Sequence, residues 1–338
     1  MGASSVGWWF GRYDANPESP SVQGCPIPYS LFSIPDGSLA LVSHPAAMSS
    51  AEPVAPGSSS PKPRDEELDF FGLTHPGLVR QGNQDHYLVS TLHKTARVRA
   101  TSLPNPELFE LPSQRIASFG MVADGVGGHY GGETASRTAI ESITEYVKET
   151  MNAFYSADEN DEQSFFSALQ DAAATCHRSV IDRADASGQP TAATTLTLFV
   201  AVWPSLYILH VGDSRLYLFR KGELQRLTRD QTMAQDLVDL GALPKDAVAQ
   251  SPLAHVLTSA MGASESSPDV TRAELRRGDA VLLCTDGLTK HVSDERIAER
   301  MRAGTSAEQV VRALVDDALA GGGTDNVTVL VVAGVRKH

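Results

Sequence analysis

The chain has 338 residues, of which 41% are hydrophobic, and this predicts a globular protein of one large domain or two ordinary ones. Its 28 Lys and Arg residues against 41 Asp and Glu residues give a formal net charge of −13, which argues against nucleic-acid binding and against attraction to anionic membranes. Three cysteines without CxxC spacing predict neither a disulfide framework nor a zinc site, and they favour a reducing, cytoplasmic location.

Composition divides the N-terminal part of the chain from the rest. Residues 1–42 carry aromatic residues and prolines without periodicity, are too few to build a core, and are interpreted as a leader of unknown role. The following segment, 43–66, is rich in Pro, Ser and Ala and predicts a flexible linker. The longest apolar runs, such as TLFVAVW at 197–203, have strand length and fall short of a membrane span. The main domain is therefore predicted to occupy residues 67–338.

The first half of this domain alternates strand and helix patterns. ELDFFGL at 67–73 and DHYLVS at 85–90 predict a pair of strands, and IASFGMVAD at 116–124 predicts another. Apolar residues at three- and four-residue spacing then predict two amphipathic helices over 132–155 and 162–185.

The second half is predicted to be rich in strands, with a helical insertion and a helical pair. Three strands lie close together, TLTLFVAVW, SLYILHVG and RLYLFRKG, and a polar interval over 230–262 is predicted to be helical. The strand AVLLCTDG, two helices near 293–302 and 306–319, and the strand NVTVLVVAGV complete the chain. Short, hairpin-like connections disfavour a parallel doubly wound sheet, so the pattern predicts a layered α+β fold built on antiparallel sheets.

A glycine-rich stretch, FGMVADGVGGHYGGETAS at 119–136, lies between a predicted strand and a predicted helix. It is not a P-loop, because no Lys followed by Ser or Thr is present, and Tyr130 stands where a dinucleotide-binding fingerprint needs Gly or Ala. What remains is Asp124 at a strand end with glycine beside it. This arrangement suits a cation held by a carboxylate and a bare backbone carbonyl.

Four further aspartates lie at predicted strand edges: Asp85, Asp213, Asp286 and Asp325. Each one taken alone is more often a turn or capping residue. If all five converge in a partly buried cleft, their like charges require cations to neutralise them. Oxygen ligands without His or Cys select hard ions such as Mg²⁺ or Mn²⁺.

The segments GLVRQGNQD, VADGVGGHYGGETAS, HVGDSRLYL, LLCTDGLT and GGTDNVTVLVV occur in this order. In this respect the chain resembles the PPM (type 2C) family of metal-dependent protein Ser/Thr phosphatases, in its compact bacterial form, over about residues 68–335. The resemblance implies a four-layer α-β-β-α sandwich, in which two antiparallel sheets are flanked by helix pairs and a two-metal centre lies at one edge. The implied activity is hydrolysis of phosphoserine and phosphothreonine by direct attack of a metal-activated water.

The resemblance also implies roles for individual residues. Asp124 would bridge two Mg²⁺ or Mn²⁺ ions, and the Gly125 carbonyl would bind one of them. Asp286 and Asp325 would hold one ion, and Asp85 the other, directly or through water.

Two further residues take roles from the same resemblance. Asp213, with Asp286, would support a third, weaker ion. Arg80 matches the phosphate-binding arginine of the family, and its planar guanidinium suits two phosphoryl oxygens at once.

The sequence also departs from the family pattern. Val126 stands where many eukaryotic members have a histidine thought to protonate the leaving group, and His129 is a candidate substitute, although a lone histidine is more often a hydrogen-bonding residue. The segment 227–262 resembles the mobile flap of the family, but Gln231 and Ser259 replace its usual His and Arg.

Several functions and partners remain open from the sequence. The first is an active phosphatase acting on phosphorylated proteins and opposing a bacterial Ser/Thr kinase. The alternatives are a pseudophosphatase that binds phosphoproteins without turnover, and a metallohydrolase of small phosphate esters. Residues 5–32 of the leader resemble the end of a regulatory module that accompanies phosphatases of bacterial type VI secretion, and an unstructured leader is the alternative.

Overall fold

The computed structural model describes residues 61–98, 100, 105, 110–126, 131–154, 162–188 and 192–334, all of which lie within the unit Ser58–His338. The predicted leader 1–42, most of the predicted linker 43–66, and His129 lie outside the described residues. Among the helices in these ranges, none has the length and apolar character that crossing a membrane requires.

The chain forms eleven strands and six α-helices within the described ranges. In order they are β1 (Leu68–His75), β2 (Asp85–Ala96), β3 (Leu111–Val126), α1 (Gly131–Phe154), α2 (Glu162–Ser187), β4 (Ala193–Thr194), β5 (Leu196–Val202), β6 (Ser205–Val211), β7 (Arg215–Arg220), β8 (Glu223–Arg226), α3 (Met233–Asp239), β9 (Asp269–Glu274), β10 (Ala280–Cys284), α4 (Asp286–Thr289), α5 (Asp294–Ala303), α6 (Ala307–Ala320) and β11 (Val327–Gly334). The predicted helices and strands before residue 226 and after residue 280 are thus confirmed, except that the predicted strand AVLLCTDG ends at Cys284 and α4 begins at Asp286.

The strands form two antiparallel sheets. One has the order β1-β11-β10-β7-β8, and the other has the order β2-β3-β5-β6-β9 with the short β4 beside β3. The prediction that the first two strands pair with each other is wrong, because β1 pairs with β11 and β2 pairs with β3. The connection 76–84 therefore crosses from one sheet to the other. Apolar alternation identifies a strand but not its partner.

Alternate side chains of each strand enter different layers of the core. In β3, Val122 packs between the two sheets, whereas Met121 faces α1 and α2. In β11, Leu330 packs between the sheets, whereas Val329 faces α5 and α6. This period of two is what a strand buried on both faces requires. The molecule is thus an α+β, four-layer α-β-β-α sandwich, as predicted.

The interval 230–262 is helical only in part, so that prediction is wrong for most of its length. Thr232 caps α3 by accepting a hydrogen bond from the Gln235 amide. Gly241, at φ 70°, follows the helix in the left-handed conformation. Beyond it lie a 3-10 helix at Lys245–Gln250 and irregular chain. Pro244 and Pro252 interrupt the backbone pattern that a longer helix would need.

Candidate metal centre

The five predicted aspartates converge at one edge of the sandwich. Asp85 begins β2 and lies directly opposite Asp124 of β3 in the antiparallel register. Asp213 lies between β6 and β7, Asp286 begins α4 immediately after β10, and Asp325 precedes β11. Burial raises the pKa of Asp124 well above its usual value, and the charges of the other four raise it further. The distant segments of sequence therefore meet in one electrostatic cluster.

Asp85 is oriented by threonine hydroxyls. Thr285 and Thr328 donate to its Oδ2 at 2.8 and 2.7 Å. Its other oxygen, Oδ1, is buried and accepts no hydrogen bond from the described residues. Burial raises the pKa of Asp85 to about 7, although the two hydroxyls oppose the shift. One oxygen is thus fixed by the protein, and the other is left for a ligand from outside the chain.

The backbone of Asp124 is held by β4 and by the residue between β4 and β5. Its amide donates to Thr195 Oγ1 at 3.0 Å, and its carbonyl accepts from the Thr195 amide at 2.9 Å and from Thr194 Oγ1 at 2.8 Å. The next residue must be glycine, because a Cβ at Gly125 would lie 2.1 Å from the carbonyl oxygen of Gly132 at the start of α1. The close approach that demands this glycine is therefore to a helix backbone.

Asp213 and Asp286 also carry oxygens without protein partners among the described residues. Asp213 is 8% exposed, and its carboxylate accepts no hydrogen bond from that part of the chain. Burial raises its pKa well above the usual value, and the charge of Asp286 raises it further. The Oδ1 atom of Asp286 is buried and has no hydrogen-bond donor within the described ranges.

Asp325, in contrast, is enclosed by two cationic side chains. Arg80 binds it through Nε at 2.8 Å and through a terminal nitrogen at 3.0 Å. The ammonium of Lys290 lies 2.7 Å from its Oδ2 and 2.6 Å from Oδ2 of Asp286. Burial would raise the pKa of Asp325, but the hydrogen bonds from Arg80 and Lys290 lower it overall.

The loop that carries Arg80 is anchored by Asn326. The side-chain amide of Asn326 donates to the carbonyls of Pro76 and Gly82 at 2.9 and 2.8 Å, and its oxygen accepts from the Gln84 amide at 2.9 Å. Asn326 follows Asp325 directly, so the same short segment positions Asp325 and the loop of the arginine.

These donors fit divalent cations. Buried carboxylate oxygens without hydrogen-bond donors, on groups that repel one another, need an external positive charge to remain ionised. The ligand atoms of Asp85, Asp124 and Asp286 are all oxygens, which hard cations such as Mg²⁺ and Mn²⁺ prefer.

Two residues of the site were missed by the sequence analysis. Lys290 lies four residues after Asp286 in DGLTK, a spacing that brings side chains together on a helix and could have identified it. His255 has no such local signal. Its ligand atom lies within 4.8 Å of those of Asp213 and Asp286, and a cleft of about 440 Å³ adjoins the three residues.

The sequence is similar to known phosphatases. The profile of the protein phosphatase 2C family matches residues 109–321. The serine/threonine protein phosphatase PstP of Mycobacterium tuberculosis is 38% identical over 267 residues, which cover 78% of this chain and 44% of that protein. The chain thus spans less than half the length of that relative.

Solved structures are similar as well. The catalytic domain of PstP in complex with two manganese ions has a TM-score of 0.60 and 30% identity, covering 80% of this chain and 99% of that one. PppA, described as a key regulatory component of T6SS in Pseudomonas aeruginosa, has a TM-score of 0.59 and 27% identity, covering 79% of this chain and 97% of that one.

Proposed function

Because this chain belongs to the protein phosphatase 2C family, we propose that it is a metal-dependent protein serine/threonine phosphatase. The observation that carries the proposal is the convergence of five aspartates, with buried and unpartnered oxygens on Asp85 and Asp286 within the described ranges, beside an arginine. Its substrates are phosphorylated proteins of a cytoplasm in which a Ser/Thr kinase acts. The likeness to PppA favours a role beside type VI secretion as one setting for this activity.

The ligand assignment follows the resemblance. Asp124 would bridge two ions, with the Gly125 carbonyl on one of them. Asp286 and Asp325 would hold one ion, and Asp85 would hold the other through its free Oδ1 or through water. When bound, a pair of Mg²⁺ or Mn²⁺ ions supplies Lewis acidity that activates water for attack on phosphorus and offsets phosphoryl charge. A third, weaker ion would lie between Asp213 and Asp286.

To bind the phosphoryl group of a substrate, Arg80 must leave its present partner, Asp325. Its guanidinium is paired with Asp325, yet its side chain is 56% exposed and can turn toward the cleft. A phosphoryl group offers the same two-oxygen geometry as a carboxylate, so substrate can replace Asp325 as the partner. His129 remains the candidate proton donor to the leaving oxygen.

The first test separates an active phosphatase from the two alternatives. We expect hydrolysis of a phosphothreonine peptide to require added Mn²⁺ or Mg²⁺, to stop with EDTA, and to be lost in Asp124→Ala and Asp286→Ala. Asp213→Ala should retain part of the activity.

Activity after exhaustive chelation would contradict the metal centre. Peptide binding without turnover in the Mn²⁺-loaded protein would favour the pseudophosphatase, and turnover of small esters alone would favour the small-ester hydrolase.

The second test concerns Arg80. Arg80→Ala should lower kcat/KM for the peptide by roughly tenfold to a hundredfold, which corresponds to about 1.5–3 kcal/mol for a charge-assisted hydrogen bond. Arg80→Lys should restore only part of this, since an ammonium cannot form the two-oxygen contact. Arg312 is a matched control, because its side chain is also 56% exposed and paired with a carboxylate, at 2.8 Å. Equal kcat/KM in all variants, at equal metal content, would remove Arg80 from the site.

A further inference from the structure

His255 is the one described histidine grouped with predicted metal-binding carboxylates. Its Nδ1 lies 3.7 Å from Asp286 Oδ2, and its ligand atom and those of Asp213 and Asp286 all lie within 4.8 Å of one another. A shift of less than an ångström would let all three touch one cation at ordinary bond lengths of about 2.0–2.2 Å. These distances fit a metal ligand, and they also fit an exposed histidine that lies near a carboxylate, so further observations must distinguish the two.

Backbone pairing ties the position of His255 to that of Asp213. The residues after His255 pair with the residues around the start of α3, since the Met233 amide donates to the Val256 carbonyl at 2.9 Å and the Thr258 amide donates to the Gln231 carbonyl at 2.9 Å. Gln231 in turn exchanges hydrogen bonds with Gly212, the residue before Asp213. The flap segment is therefore linked to the Asp213 turn by a continuous hydrogen-bonded ladder.

The surroundings of Asp213 also favour a cation at this position. Asp213 as a residue is only 8% exposed, its carboxylate accepts no hydrogen bond from the described residues, and its ligand atom belongs to this cluster. The nearby guanidinium of Arg215 is not available to it, because that group binds Asp230 at 2.6 Å. A buried carboxylate without a donor is costly unless a cation compensates it.

We propose that His255 donates an imidazole nitrogen to a divalent cation that Asp213 and Asp286 bind through carboxylate oxygens. The resemblance places only the two aspartates at such an ion, so the histidine changes the chemistry of the site. Imidazole favours transition metals, whereas Mg²⁺ prefers oxygen, so this site selects Mn²⁺ over Mg²⁺. The ion also ties the flap segment to the sandwich. The inference rests on the proposed function for the neighbouring ions, and its test does not use activity.

The test uses pulsed electron paramagnetic resonance on the full chain loaded with Mn²⁺. The other proposed ligands are oxygens, so coupling of Mn²⁺ to nitrogen is the signature of His255. We expect this coupling in the wild type, its loss in His255→Gln, and its retention in His93→Gln. His93 is a matched control, since its Nδ1 also lies 3.7 Å from a carboxylate, that of Asp65. It lies eight residues along β2 from Asp85, about 26 Å away at the usual strand rise.

Calorimetric titration supplies a second readout. His255→Gln should weaken the weakest Mn²⁺ site by about tenfold or more, because losing even an outer hydrogen-bond partner of a ligand costs about 10–100-fold. It should leave Mg²⁺ binding unchanged. Nitrogen coupling that survives in His255→Gln, or no coupling in the wild type with three ions bound, would overturn the role of His255 alone. Failure of any Mn²⁺ to bind the wild type would overturn the proposed function as well.

Discussion

Lys290 places a positive charge between two residues that the family resemblance assigns to a metal ion. Its ammonium binds Asp286 at 2.6 Å and Asp325 at 2.7 Å, and its side chain is only 19% exposed. Burial would lower the pKa of Lys290, but the two carboxylates raise it, so the group is charged. Lys290 thus offsets part of the negative charge of the metal-free site, and a divalent cation that uses the same oxygens must displace the ammonium or tolerate its repulsion.

Lys290→Met is therefore expected to tighten metal binding. Removing a unit charge a few ångströms from the ion relieves roughly 1–4 kcal/mol of repulsion, so the Kd for Mn²⁺ should fall by about tenfold or more. Calorimetric titration measures this directly. Lys148→Met is the control, since Lys148 is an exposed lysine paired with Glu145 at 2.8 Å on α1. A Kd that is unchanged or higher in Lys290→Met would show that the lysine orients the carboxylates instead of competing for them.

At the scale of elements, one carboxylate joins α5 to α6. Asp317 of α6 accepts from Arg296 at 2.8 and 3.1 Å and from Arg300 at 2.7 and 2.6 Å. Hydrogen bonds from Arg300, then from Arg296, lower the pKa of Asp317. Its contribution to stability is consequently present above the usual carboxyl pKa and is lost as the pH falls through the lowered value.

Asp317→Asn should lower the melting temperature without changing metal binding. A network of two arginines on one partly buried carboxylate stabilises more than an isolated surface pair does. We expect a fall of about 2–4 °C at pH 7, measured by differential scanning calorimetry. Glu308→Gln is the comparison, because Glu308 pairs with one exposed arginine at 2.8 Å, and its removal should change the melting temperature by less than about 1 °C. Equal shifts in the two variants would contradict the network.

The sequence predicted elements where local signals decide structure. The helices α5 and α6 combine apolar spacing with the capping residues Ser293 and Ser306, so their bounds were predicted within one or two residues. The partner of β1 could not be predicted, because strand pairing depends on residues more than 250 positions away. Most of the interval 230–262 was wrongly predicted as helix, because the prediction rested on polar composition, whereas Gly241, Pro244 and Pro252 end the helix early.

The same distinction holds for the site. The candidate aspartates could be predicted because each one lies next to an apolar strand. The order of the five sequence segments that contain them identifies the family. His255 could not be found, because its approach to Asp213 depends on the pairing of the residues after it with the residues around the start of α3. The ion pairs of Arg80 and Lys290 with Asp325 could not be predicted either. They depend on how the connection 76–84 crosses between the two sheets and on where β11 begins, and no local sequence pattern shows these features.

For the whole molecule, the aspartate cluster makes stability depend on pH and metal. Burial, reinforced by like charges, raises the pKa of Asp85, Asp124 and Asp213 above their values in the unfolded chain. Groups with raised pKa values bind more protons in the folded state, so their contribution is present at acid pH and is lost as the pH rises through the folded pKa. His86 and His210 act in the opposite direction, since burial lowers the pKa of both.

We therefore predict that the metal-free protein carries a charge penalty at alkaline pH that Asp213→Asn relieves. Asp213 accepts no hydrogen bond from the described residues, so the amide loses no partner there, and the variant should melt above the wild type at pH 8 in EDTA. At pH 5, where the wild-type carboxyl is closer to protonated, the difference should shrink.

A tenfold difference in proton affinity between the folded and unfolded chain corresponds to about 1.4 kcal/mol. Each kcal/mol corresponds to about 2–4 °C in melting temperature for a chain of this size. The histidines are common to both proteins, so they cancel in this difference. Added Mn²⁺ should reverse the order, because it stabilises the wild type by binding. If the melting temperatures of the two proteins differ by the same amount from pH 5 to pH 8, Asp213 does not contribute to the pH dependence.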